Sequence, residues 1–128
     1  MIARLGGLLA LAALFAAAPP SAQRKAVLDA LRPTVEKKLG GDVEFVVQVL
    51  RVEGGWAFVM ADPRRKGGKP IDGNRIFGED FENMDGLRID AVLQLRDGKW
   101  KVVDHAIGAT DVWYCDVGPK SLKRDYGC

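Results

Sequence analysis

The chain has 128 residues, 19 Lys and Arg against 17 Asp and Glu, and a formal net charge of +2. A balance this close to neutral makes no electrostatic case for nucleic acid or an anionic membrane. One histidine and two cysteines cannot complete a zinc shell, and a chain this short leaves room for one small domain.

The first stretch, MIARLGGLLALAALFAAAPPSAQ, carries one cation, Arg4, and then an apolar run from Leu5 to Ala18. Pro19 and Pro20 break that run, and Ser21 and Ala22 are small. This is the layout of a secretory signal peptide. The run is about 14 residues, short of the roughly 20 that span a bilayer. We expect residues 1–22 to be removed and residues 23–128 to form a single α+β domain that is periplasmic or secreted. After cleavage no membrane partner is expected, and the loss of Arg4 brings the charge still closer to zero.

From residue 23 to residue 39 the apolar positions Leu28, Leu31, Val35 and Leu39 recur in steps of three, four and four, with Val27 widening the stripe. That spacing predicts a helix with one buried face. Lys37 and Lys38 suit the negative end of the helix dipole, and Gly40-Gly41 stops the helix. Pro33 cannot donate to the carbonyl of Asp29, so a kink is expected there. Because the stripe runs through the proline, one kinked helix is predicted and not two.

VEFVVQVLRV, residues 43–52, is rich in β-branched residues and reads as a strand. Gly54-Gly55 is a hairpin turn, and WAFVMA, residues 56–61, returns. The apolar parity slips inside the first strand. Val43, Phe45, Val47 and Val49 share one face, whereas Leu50 and Val52 take the other. Either a bulge switches the faces or both faces are covered. Residues 62–86 are expected to be a long loop, basic at its start (Arg64, Arg65, Lys66) and acidic at its end (Glu79, Asp80, Glu82, Asp85). Long loops in compact domains often carry function, so the basic triplet is a candidate binding element.

LRIDAVLQLR, residues 87–96, alternates strictly, Asp97-Gly98 is a two-residue hairpin turn, and KWKVVDHAI returns. Extending that turn without interruption sets Leu93 against Val102, Ala91 against Asp104 and Asp90 against His105. His105 and Asp104 then point to opposite sides of the sheet and do not form one acid–base pair. Asp90 and His105 become a structural cross-strand pair. Asp104 falls on the apolar face, where a carboxylate needs partners or a raised pKa. It is the candidate for a binding group or general base in a cavity between helix and sheet.

Cys115 and Cys128 both lie in the last stretch, DVWYCDVGPKSLKRDYGC. In an exported protein two thiols are expected to form one disulfide, here a staple for the C-terminal tail, residues 108–128. Trp56 and Trp100, each just after a turn, are expected in the core. Trp113 in the tail is either core or a ligand platform. No metal or other cofactor is expected.

A helix followed by a four-stranded antiparallel meander that curls around it is an α+β roll. That order resembles the cystatin-like architecture shared by cystatins and nuclear-transport-factor-like domains, and DGKWKVVDH, Asp97 to His105, resembles the closing hairpin of the latter. Cystatins block proteases with a Gln-x-Val-x-Gly loop, and Gln48-Val49-Leu50-Arg51-Val52 does not match it. The hairpin Gly54 to Val59, GGWAFV, is similar to one in small exported bacterial proteins, a resemblance that implies no activity. The expected function is therefore a non-catalytic exported module that binds a protein, peptide or envelope component. One alternative is a small-ligand carrier or minor enzyme with a shallow cavity at Asp104. The other is an inhibitor of an envelope protease or lytic enzyme.

Overall fold

The computed structural model describes residues 20–128, so the expected leader lies outside the described residues as far as Pro19. The first helix, α1, is Ser21–Leu39, beginning two residues before the expected boundary. It is one helix with Pro33 inside it. Val27, Leu31, Val35 and Leu39 are at most 1% exposed, which is the predicted stripe with Val27 in place of Leu28 at its centre. Gly40 ends the helix in the left-handed conformation at φ 71°, and its N–H returns to the Glu36 carbonyl at 2.8 Å.

Four strands follow: β1 (Glu44–Glu53), β2 (Trp56–Arg64), β3 (Ile89–Arg96) and β4 (Lys99–Ile107). They form one antiparallel meander in chain order, as predicted, and the α+β class stands. β1 and β4 are the two edges. Each edge strand carries an extra residue. In β1 the pairing passes from Val47–Ala61 to Val49–Met60 and skips Gln48. In β4 it passes from Leu93–Val102 to Val92–Asp104 and skips Val103. A bulge on each edge breaks the flat ladder that a second chain would need for edge-to-edge pairing.

The bulge in β4 overturns the predicted register. Asp90 lies opposite Ala106 and His105 opposite Ala91, so the Asp90–His105 pair does not exist. The physical reason is the apolar face. An uninterrupted strand would bury the Asp104 carboxylate against Ala91 and turn Ile107 outward. One extra residue turns Asp104 into solvent and brings Ile107 onto the helix-side core. Asp104 instead accepts the backbone N–H of His105 at 2.8 Å.

Both alternatives for β1 hold together: a bulge switches its parity, and both sheet faces are covered. On one face Val43, Leu50, Ala57, Val59, Ile89 and Leu93 pack under the α1 stripe. On the other, Val49, Phe58, Met60 and Val92 pack under Tyr114 and Leu122 of the C-terminal tail. That tail is a cap made of two 3-10 turns, Trp113–Asp116 and Lys120–Lys123. The expected Cys115–Cys128 disulfide is present, and it closes the cap on itself without tying it to a strand. Lys123 is fully buried inside the closed loop, where its Nζ donates to the Val117 carbonyl at 2.6 Å. Tyr114 Oη donates to the Tyr126 carbonyl at 2.7 Å. Arg51 of β1 ties the cap to the sheet: its Nη1 donates to the Arg124 carbonyl at 2.9 Å, and its guanidinium lies 4.8 Å from the Tyr126 ring centre. Gly118 is required where the cap crosses Trp56, because a Cβ there would come within 2.7 Å of the indole.

The expected loop 62–86 is more structured than its composition suggests. β2 continues through Asp62, Pro63 and Arg64, since Val46, Phe45 and Glu44 of β1 offer partners. Beyond Arg64 come a 3-10 turn at Lys66–Gly68, a short helix, α2 (Gly73–Phe77), and a 3-10 segment at Gly78–Asn83. Asp72 caps α2 by accepting the Arg75 N–H at 3.2 Å. Gly73 lies directly under the Phe81 ring, with no room for a Cβ, which folds the acidic half back onto the helix. No helix among the described residues is long and apolar enough to cross a membrane.

Candidate functional site

The end of α1, the start of the β2–β3 connection and α2 enclose a cleft of about 540 Å³. Leu39, Ile71 and Ile76 give it apolar walls, and Arg65, Asp72 and Arg75 give it charge. The predicted basic triplet contributes one residue here. Arg65 Nη2 donates to the Leu39 carbonyl at 2.5 Å and its Nη1 to the Asp42 carbonyl at 3.3 Å. Its charge sits at the negative end of the α1 dipole, satisfying the Leu39 carbonyl that the helix leaves open and the Asp42 carbonyl just beyond it, so Arg65 builds the cleft wall. Arg64 donates to the neighbouring Pro63 carbonyl, and Lys66 is exposed. The three cations do not converge. Arg75, which sequence reasoning passed over, is the exposed guanidinium at the cleft.

A second groove, about 230 Å³, lies between Lys38, Phe77 and the end of β4 at His105, Ala106 and Ile107. Ile76 lines the first concavity and Phe77 the second, so α2 is the ridge between them. The β4 bulge is what turns His105 to this side. Burial holds the imidazole below its ordinary pKa of 6.5, and the Lys38 ammonium adds to that, while the Asp104 carboxylate opposes it weakly. Asp104 itself is exposed and lines neither concavity.

The buried carboxylate that the sequence placed at Asp104 exists at Asp90. It is 0% exposed, on the capped face. Arg88 Nε donates to its Oδ1 at 3.0 Å and Arg88 Nη2 to its Oδ2 at 3.3 Å, a two-pronged pair. Arg88 also approaches Asp85 at 3.5 Å. Desolvation pushes the Asp90 carboxyl up, and the Arg88 hydrogen bond pulls it back only in part. The same bond raises the Arg88 guanidinium. The sequence contained the signal: Arg88, just before β3, and Asp90 in it are two apart in extended chain and share a face. Trp113 packs against the capped core with its ring edge-on to Tyr114, the centres 5.7 Å apart. Its Nε1 is buried and has no hydrogen-bond partner.

The cleft offers apolar walls with Arg65, Asp72 and Arg75, His105 is half-buried at the neighbouring groove, and no cluster of three metal-ligating side chains occurs among the described residues. Comparison with protein-family models, curated proteins and solved structures finds no match to this chain.

Proposed function

We propose that the chain is an exported, non-catalytic binding module that holds a protein or peptide segment of the cell envelope in the cleft between α1 and α2. The cleft itself carries this reading. Its volume falls in the range of ligand sites, its walls mix apolar Leu39, Ile71 and Ile76 with charged side chains, and Arg75 stands at it as a cation that forms no ion pair among the described residues. Arg65 is pinned by two carbonyls, so the wall is set before a ligand arrives. Export is supported by the leader-like N-terminus and by a disulfide, which persists in oxidising compartments. The helix-on-meander order supports a cystatin-like roll architecture.

The test is photo-cross-linking in the native compartment. A benzophenone amino acid at position 70 or 75 should give an adduct of one defined mass, and the same group at position 116 on the cap should not. Ile76→Asp should abolish that adduct with the fold intact by circular dichroism. Equal labelling from all three positions, or none, refutes the cleft. Intact mass tests export separately, since a mature chain beginning at residue 23 is expected and retention of residues 1–22 refutes it.

A further inference from the structure

We propose that the tip of the β3–β4 hairpin docks on an anionic lipid surface. The tip has two unlike faces. On the α1 side Leu95, 41% exposed, lies opposite Trp100, which is also partly exposed. On the other side Arg96 lies directly opposite Lys99, and Lys101 lies opposite Gln94. Arg96, Lys99 and Lys101 are all exposed, and none forms an ion pair among the described residues. Arg96 Nε spends one donor on Gln94 Oε1 at 2.8 Å. Like charges placed directly across a ladder cost stability, so the pair Arg96–Lys99 works against the fold unless counter-charge arrives from outside. Asp97 in the turn is the only carboxylate in residues 94–101.

The distribution along the molecule strengthens this. α1 ends beside His105 and Ile107, the end of β4 far from the turn, so its first residues lie toward the hairpin tip, with Arg24 unpaired among the described residues and Lys25 paired to Asp29 at 2.6 Å. The acidic run Glu79 to Asp85 lies in the connection at the opposite end of the sheet, where Arg64, Arg65 and Lys66 offset it. At the tip Asp97 and, from the adjoining β1–β2 turn, Glu53 offset part of the charge of Arg96, Lys99 and Lys101, and a cation excess remains. A net charge near neutral hides a local excess of cations beside an exposed leucine and tryptophan. That combination suits a headgroup layer: cations meet phosphates, and the two apolar side chains enter the interface. A soluble polyanion would use the cations and leave Leu95 and Trp100 without a role.

The test is sedimentation with vesicles of phosphatidylcholine alone or with phosphatidylglycerol added, using the disulfide-bonded chain with its N-terminus fixed by intact mass. Binding to the anionic vesicles only, weakened by salt, is expected. Each basic residue near such a surface contributes about fivefold, so Arg96→Gln/Lys99→Gln/Lys101→Gln should weaken binding about 100-fold. Leu95→Ser should weaken it further, and the Trp100 emission should shift to the blue on binding. Equal binding to both vesicle types, or a triple variant that binds like the parent, overturns the proposal. So does binding to heparin that matches the vesicles and is indifferent to Leu95→Ser, because the ligand is then a soluble polyanion. All four side chains are at the surface, so the variants should fold, and unchanged circular dichroism spectra check that.

Discussion

Removing the Cys115–Cys128 bond, as Cys115→Ser/Cys128→Ser, tests what holds the second core together. The bond closes a segment whose ends are 13 residues apart. In the chain-entropy treatment a loop of that length restricts the unfolded chain by about 3 kcal/mol at 25 °C. For a domain of this size that corresponds to a fall in Tm of roughly 12–15 °C. The loss should not be uniform. The cap covers Phe58, Met60 and Val92, and its ties to the sheet are non-covalent: Arg51 to the Arg124 carbonyl, and Tyr114 against Phe58 with ring centres 4.8 Å apart. Without the bond, the cap can open while the α1 side of the sheet stays closed. Amide exchange followed by NMR should show protection falling first in residues 110–128 and then at Val49, Phe58 and Val92. Calorimetry of the double variant, with the parent in a dithiol reductant as control, gives the overall shift. A Tm within about 3 °C of the parent, with unchanged protection in the cap, would refute the reasoning. It would mean that Lys123, Tyr114 and Arg51 already hold the cap and that the closed loop adds nothing.

Asp90→Asn reads the buried pair through pH. Burial raises the folded-state pKa of Asp90 above its ordinary 3.8, so the folded protein keeps this proton to higher pH than the unfolded chain does. The group's stabilising contribution is therefore complete below 3.8 and is lost as pH rises through the raised value. The parent should lose stability relative to Asp90→Asn across that window in urea melts at successive pH values, and a parent that gains stability relative to the variant as pH rises would contradict the sign. Deleting Val103 should leave Val92–Asp104 and Ala91–His105 paired, because the deletion removes only the residue the ladder skips. Cross-strand nuclear Overhauser contacts between Ala91 and His105 should survive, and their loss would show the bulge to be misplaced. Lys38→Ala should raise the His105 pKa back toward 6.5 in an NMR titration, though not fully, since burial is the larger cause.

Much of the fold was legible from local pattern. The Val27, Leu31, Val35, Leu39 stripe, the turns at Gly54-Gly55 and Asp97-Gly98, the strand order and the disulfide each depend on residues near one another in the chain, or on compartment chemistry. The bulges were not legible to the same degree. In β4 the dipeptide Val102-Val103 offers either residue to the core, and nothing local says which one the ladder skips. The choice is made by the cost of burying Asp104 and by the place waiting for Ile107 under α1. Those terms exist only once helix and sheet are packed together. The cap was equally hidden. Its sequence, rich in Gly, Asp and Lys, reads as a tail, and it becomes half of a core only because β2 and β3 present Phe58 and Val92 on the face away from α1. From that second face follows the identity of the buried carboxylate. Asp90 looked like an ordinary polar position on an alternating strand, and tertiary structure roofed it with Tyr114 and left Asp104 in water. The main helix, the four strands, their order and the covalent staple were readable from the chain alone, because propensity, turn chemistry and periodicity act over a few residues, whereas α2 and the turns of the cap were not. Tertiary structure decided the register, the burial of charge and the convergence of Arg65, Arg75, Lys38 and His105 beside α2, because these balance the desolvation of one group against the packing of others far away in the chain.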